Sequence, residues 1–169
     1  MIQIKRAESI EQFDWILKDP EIFPRIAEDG IEPEEFNIPS PVDNCYLLAY
    51  DDDLLTVNDE KPSILGVWCL YPVNKSTLNI HANMIKHHRM HAKKVFRLIL
   101  DWFLDDCPKQ YVKLNAEIPE IYQDVYHFTK SVGFTDEGIN RLSIKKNGEL
   151  VNQYRLGLTR EEAQKICHS

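Results

Sequence analysis

The chain has 169 residues, of which 43% are hydrophobic and 28% are charged, so we expect residues 1–169 to form a single domain with its own core. The net charge of −7 argues against nucleic-acid binding through bulk electrostatics, and no apolar run reaches membrane-spanning length. The four cysteines form no C-x-x-C pair and the start lacks a signal-peptide core, which favours a reducing cytoplasm.

The first quarter of the chain predicts a strand, two short helices and a loop. Alternating apolar and polar residues indicate the strand, and Ser9 with Gln12 forms a capping-box pattern that opens the first helix. Gly30 ends the second helix, and three prolines follow within a polar stretch. The predicted bounds are a strand at 2–6, helices at 9–18 and 21–29, and a loop at 31–43.

Three strands are predicted next, at residues 45–51, 63–72 and 77–85, because apolar and β-branched or aromatic residues dominate each stretch. The acidic run 51–53 is predicted to begin a solvent-exposed turn between the first two of these strands. A helix at 90–106 follows, since its apolar residues recur at helical spacing and form one wide face.

The last third predicts a strand at 111–117, a helix opened by Pro119 that runs to about Ser131, and a strand from Gly133. Asn147-Gly148 is a strong signal for a two-residue hairpin that returns into a strand at 150–158, before a short final helix. This element order predicts an α/β fold with a mixed, mostly antiparallel central sheet flanked by helices.

Residues 86–92, KHHRMHA, place three histidines and an arginine at the start of the long helix. A helix N-terminus favours anions such as phosphate. His87 and His91, four residues apart, would present two metal ligands on one helical face; His81 or Asp105 could supply a third, but nothing in the spacing requires it. We therefore predict no metal site.

Residues 130–162 carry a family resemblance. KSVGFTDEG and KKNGELVNQYRLGLTREE resemble the corresponding stretches of the GCN5-related N-acetyltransferase (GNAT) superfamily, and the element order of the whole chain is similar to that family's. The resemblance implies the GNAT fold, acetyl-CoA as cofactor, and direct acyl transfer to a primary amine.

The same resemblance implies a cofactor site. The family's pyrophosphate loop, Q/R-x-x-G-x-G/A, falls on residues 87–92, and the preceding strand ends where its backbone would hold the thioester. The loop fits the pattern at Ala92 and departs from it at Met90, which stands where the family has glycine. The implied cofactor-binding residues are Met84, Ile85, His87, His88, Arg89, Met90, His91 and Ala92.

This chain also departs from the family at the catalytic residues. The tyrosine that commonly protonates the departing thiolate corresponds to Thr129, and Tyr126 and Tyr122 are the possible substitutes. The amine must lose a proton before it attacks, and Glu117 or His81 is the predicted base.

The sequence is therefore compatible with two functions, and it leaves open whether the chain is an enzyme. The first is an acetyl-CoA-dependent N-acetyltransferase that acts on a primary amine. The second is a catalytically inactive GNAT-like protein that binds a protein partner, like those of tailed bacteriophages with roles in virion assembly or DNA delivery. The edge of the last hairpin is a candidate surface for a homodimer.

Overall fold

The computed structural model describes the backbone of residues 1–56 and 59–168, and the side chains of these residues except for 54–62. Seven strands of this structure form one sheet. The spatial order is β1-β2-β3-β4-β5-β7-β6. The strands are β1 (Ile2–Arg6), β2 (Cys45–Thr56), β3 (Asp59–Pro72), β4 (Thr77–Met84), β5 (Lys113–Pro119), β6 (Thr135–Lys146) and β7 (Glu149–Thr159).

Every neighbouring pair in this sheet is antiparallel except β4 and β5, which run parallel. The parallel contact joins the first halves of the two strands over three residue pairs, from Thr77 opposite Lys113 to Asn79 opposite Asn115. The prediction of a mixed, mostly antiparallel sheet is therefore confirmed.

Helices cover both faces of the sheet. They are α1 (Asp14–Leu17), α2 (Phe23–Ile26), α3 (Ala92–Asp105), α4 (Gln123–Ser131) and α5 (Arg160–His168), with 3₁₀ helices at Ile10–Gln12 and Lys86–His91. The apolar stripe of α3, including the fully buried Ile99 and Phe103, packs with α5 on one face. Phe13, Ile16 and Leu17 pack against β2 and β3 on the other. No helix among the described residues is long and apolar enough to span a membrane.

Several predicted boundaries are wrong. The acidic run Asp51–Asp53 continues strand β2 instead of starting a turn, and two of its carboxylates pair with the N-terminal ammonium at 2.8 and 2.6 Å. The middle of the predicted turn, 57–58, lies outside the described residues. Pro119 ends β5 instead of opening α4. The first two α-helices have only four residues each, because local capping signals do not determine where tertiary packing ends a helix.

The predicted turn signals are confirmed in the second half of the chain. Asn147 and Gly148 have φ of 53° and 84°, which a two-residue hairpin of the primed type requires. Gly133 follows α4 with φ of 109°, the left-handed conformation that commonly ends a helix. The Glu162 carboxylate accepts the backbone N–H of Thr159 at 2.7 Å, as expected for a capping box.

Gly66 allows β3 and β4 to approach closely where β4 ends. A Cβ at this position would lie 2.5 Å from the carbonyl oxygen of Asn83 and 2.9 Å from the Cα of Met84. We expect Gly66→Ala to lower the free energy of unfolding by about 1–3 kcal/mol, because backbone atoms must shift to admit the methyl group. Urea unfolding measures this loss, with Ser63→Ala in the same strand as the control. Equal stability of the two variants would contradict the close packing.

Candidate active site between the diverging strands

The central feature of the molecule is the separation of β4 from β5. Both strands continue beyond the last parallel pair, Asn79 and Asn115, but residues 80–84 do not pair with 116–119. β3 and β7 hold the outer edges of the two strands up to Met84 and Pro119. A cavity of about 330 Å³ opens between the separated ends.

The cavity has an apolar floor and polar groups around its walls. Residues of β3, β4, β5, α3 and the segment after α4 form the floor: Trp68, Ile80, Met84, Phe96, Ile118 and Phe134. Side chains from α2 and α4 form the remaining walls. An apolar pocket with a few polar groups around it is the usual form of a small-molecule site.

The structure brings together some of the predicted site residues and separates others. Those that line the cavity are His81, Met84, Arg89, Ala92 and Glu117. Those that do not are Ile85, His87, His88, Met90, His91 and Tyr126. The two predicted bases therefore share a cavity with part of the predicted cofactor loop.

His81 lies on the face of β4 that points toward α1 and α2. Its ring is 5.6 Å from the ring of Tyr71, and burial lowers the pKa of His81 from its ordinary value of 6.5. The imidazole is therefore neutral at neutral pH, the form that accepts a proton.

Glu117 extends from β5 opposite Arg155 of β7, and its carboxylate lies 3.3 Å from the Arg155 guanidinium. The side chain is partly exposed and reaches the cavity. It is the carboxylate nearest in sequence to the point where β5 leaves β4, and its ion pair fixes the side chain at the cavity wall.

Tyr126 lies outside the cavity. Its hydroxyl donates a hydrogen bond to the carboxylate of Asp136, which raises the pKa of Tyr126, and its ring packs 4.3 Å from that of Tyr154. Thr129 lines the cavity, but its hydroxyl donates to the carbonyl oxygen of Val125 at 2.8 Å. Neither hydroxyl is free to donate a proton into the cavity.

The predicted cofactor loop forms a 3₁₀ helix, Lys86–His91, that leads into α3. Met90 is 80% exposed, so its side chain projects into solvent. Arg89 lines the cavity and its guanidinium has no ion-pair or hydrogen-bond partner in the described part of the chain. The first turn of α3 contains no acidic residue. The start of α3 therefore offers an unpaired cation and a helix N-terminus to an anion.

Two other basic side chains of this loop, His88 and Lys86, are less available to an anion. The rings of His87 and His88 are 4.1 Å apart, and burial together with His87 and His91 lowers the pKa of His88. Lys86 is already paired with Glu21 at 2.5 Å. Among the described residues, no cluster of three histidine, cysteine, aspartate or glutamate side chains has the geometry of a metal site.

Sequence reasoning did not find the contacts that close the cavity on the side of α2. The Arg25 guanidinium pairs with the Asp124 carboxylate at 2.8 Å, and the Tyr122 hydroxyl donates to the carbonyl oxygen of Pro24 at 2.9 Å. The buried Lys146, 2% exposed, donates to the same carbonyl at 2.8 Å. These contacts join segments about a hundred residues apart, and no local pattern signals them.

Comparisons with known proteins identify the fold. No family model matches the chain, and no curated protein gives a significant sequence match. Among solved structures, spermidine N-acetyltransferase from Vibrio cholerae in complex with CoA and spermine is similar, with a TM-score of 0.76 and 12% identity over 96% of this chain and 98% of that one. The same enzyme in complex with manganese ions gives a TM-score of 0.70 at 12% identity, over 97% of this chain and 95% of that one.

A chimera of the Vibrio cholerae enzyme SpeG and hSSAT gives a TM-score of 0.62 at 13% identity, over 73% of this chain and 70% of that one. The chain therefore has the fold of the GNAT acetyltransferases, as its sequence resemblance predicted. At these identities the likeness establishes the fold, and function has to be argued from the site.

The lowered pKa of His81 predicts a pH-dependent stability. Below about pH 6.5 the unfolded chain binds a proton at His81 that the folded chain does not, so the free energy of unfolding falls as the pH decreases through this window. The slope from this one group is at most about 1.4 kcal/mol per pH unit. Urea unfolding at several pH values should show a smaller slope for His81→Gln than for the unsubstituted chain. Equal slopes in the two proteins would contradict the burial of a neutral His81.

Proposed function

We propose that the chain is an acetyl-CoA-dependent N-acetyltransferase that acts on a primary amine. The observation that carries this proposal is the cavity between the separated ends of β4 and β5, which opens beside Arg89, a side chain with no ion-pair partner among the described residues, at the start of α3. Separated strand edges offer backbone hydrogen bonds to a ligand that contains amides, and the adjoining helix start suits its phosphates.

The residues fit acetyl-CoA at both ends of this site. Arg89 and the start of α3 would hold the pyrophosphate, and the end of β4 at Met84, which lines the cavity, would hold the thioester. Acetyl-CoA supplies the acetyl group, activated as a thioester. The floor of the cavity, formed by side chains such as Trp68 and Phe96, excludes water from the reacting carbonyl.

Glu117 takes the role of general base in this proposal, with neutral His81 on the same face of the sheet as the second candidate. The base removes a proton from the ammonium so that the nitrogen lone pair attacks the thioester carbonyl. The carbon–nitrogen bond would form as the carbon–sulfur bond breaks, the nitrogen would lose its second proton to solvent, and the CoA thiolate would be released. Because Asp136 holds Tyr126 outside the cavity, solvent water is the favoured proton donor to this thiolate.

Two observations favour the second function, an inactive GNAT-fold protein that binds a protein partner. Met90 replaces the glycine of the family's loop, and the hydroxyl of Thr129 is bonded within its own helix. Binding of acetyl-CoA separates the two functions, because a chain that has lost the cofactor site has no affinity for it.

Acetyl-CoA should stabilise the folded chain. A ligand present at about 100 times its Kd adds about 2.7 kcal/mol to the free energy of unfolding, which raises the melting temperature by several degrees. Arg89→Ala should reduce this shift strongly, because the guanidinium is a cation beside the cavity that has no partner in the described part of the chain. Differential scanning calorimetry with and without acetyl-CoA measures the shift, and Arg141→Ala on the exposed strand β6 is the matched control.

Absence of a shift in the unsubstituted chain at millimolar acetyl-CoA would overturn the enzyme proposal and favour the binding protein. A full shift in Arg89→Ala would instead remove Arg89 from the anion site and leave the enzyme proposal in place.

Glu117→Gln should lower kcat by about 10²–10⁴-fold, the usual contribution of a general base, while the KM for acetyl-CoA stays nearly unchanged. Release of the CoA thiol, followed with a thiol reagent, measures both constants. His81→Gln is the informative comparison, since the base is the residue whose loss lowers kcat more. A kcat for Glu117→Gln equal to that of the unsubstituted chain would show that Glu117 is not the base.

A further inference from the structure

We propose that the acceptor amine carries a carboxylate and that Arg25 is the residue that binds it. This inference rests on the proposed acetyltransferase function and specifies its substrate class. It differs from the spermine bound in the structurally similar Vibrio cholerae enzyme, because the charges around the cavity of this chain do not suit a polycation.

The charged side chains that line the cavity are balanced in sign. In the described part of the chain they are Arg25, Arg89, Glu117 and Asp124, and His81 is neutral because burial lowers its pKa. Each carboxylate already faces an arginine, Glu117 at 3.3 Å from Arg155 and Asp124 at 2.8 Å from Arg25. A substrate with several ammonium groups would have to displace these arginines or lie beside them. A single amine needs only one carboxylate.

Contacts with neighbouring residues hold the Arg25 side chain in place, and some of its N–H groups have no acceptor in the described part of the chain. Its guanidinium lies over the ring of Tyr122, 5.1 Å from the ring centre, and the Tyr122 hydroxyl is bonded to Pro24 of the same helix as Arg25. One N–H group of the guanidinium donates to Asp124. The others have no acceptor among the described residues. A planar guanidinium held against an aromatic ring, with free N–H groups at a cavity wall, is well suited to a carboxylate.

In this proposal the two arginines of the cavity bind different molecules, the cofactor at Arg89 and the acceptor amine at Arg25. Arg89 belongs to the segment between β4 and α3, where the proposed cofactor enters. Arg25 belongs to α2 and contacts the start of α4 beyond the end of β5. An amine that is bound by its carboxylate at Arg25 enters from the α2 side, with its nitrogen directed toward Glu117.

Matched pairs of amines test the proposal: β-alanine against propylamine, and γ-aminobutyrate against butylamine, with spermidine as the polycation. With acetyl-CoA present and thiol release as the readout, kcat/KM should be about tenfold or more higher for the carboxylate-bearing member of a pair, the usual effect of a charge-assisted contact of about 1.4 kcal/mol. Arg25→Gln should bring the ratio within each pair close to one and leave the Kd for acetyl-CoA unchanged. Arg141→Gln is the matched control.

Arg25→Lys keeps the charge without the planar fork and should retain only part of the preference. A preference for spermidine over both carboxylate-bearing amines, or a preference that survives in Arg25→Gln, would overturn the inference while the acetyltransferase function stands. Weaker acetyl-CoA binding by Arg25→Gln would assign Arg25 to the cofactor and also overturn it. Failure of the unsubstituted chain to bind acetyl-CoA is the separate result that removes the proposed function itself.

Discussion

The parallel contact between β4 and β5 ends at Asn79 and Asn115, and the site depends on where it ends. Backbone N–H and C=O groups need partners when they are buried, so two strands that separate inside a sheet require either water or a ligand between them. The antiparallel neighbours β3 and β7 continue to hold β4 and β5 after they separate. Rigid edges on both sides of the cavity give a ligand a fixed set of backbone donors and acceptors without a loop that must first be ordered.

The cover over this cavity is built from long-range polar contacts. The buried Lys146 of β6 donates to the carbonyl oxygens of Pro24 and Ala27, and its ammonium lies 5.6 Å from the centre of the Tyr122 ring. A buried ammonium is tolerated only when such partners compensate its lost hydration. These contacts fix α2, a helix of four residues that could not be stable alone, against the start of α4. The position of Arg25, and with it the proposed choice of acceptor, follows from this anchoring.

The sequence predicted the order of strands and helices in the second half of the chain because strong local signals act there, such as the apolar stripe of α3 and the Asn147-Gly148 turn. It failed at Asp51–Asp53, where acidic side chains suggested a turn but the N-terminal ammonium and β-pairing keep the chain extended. The resemblance pointed to Arg89 and Glu117 by their position along the chain, and both line the cavity. Arg25 and Asp124 were missed because their pairing depends on tertiary contacts between segments that carry no motif.

A crystal structure of the chain grown with CoA tests the central claim most directly. The separated strands predict that the amide-containing arm of CoA lies between residues 80–84 and 116–119, with its pyrophosphate beside Arg89 at the start of α3. CoA bound elsewhere on the surface, or a cavity that remains without CoA in crystals grown at millimolar concentration, would contradict it.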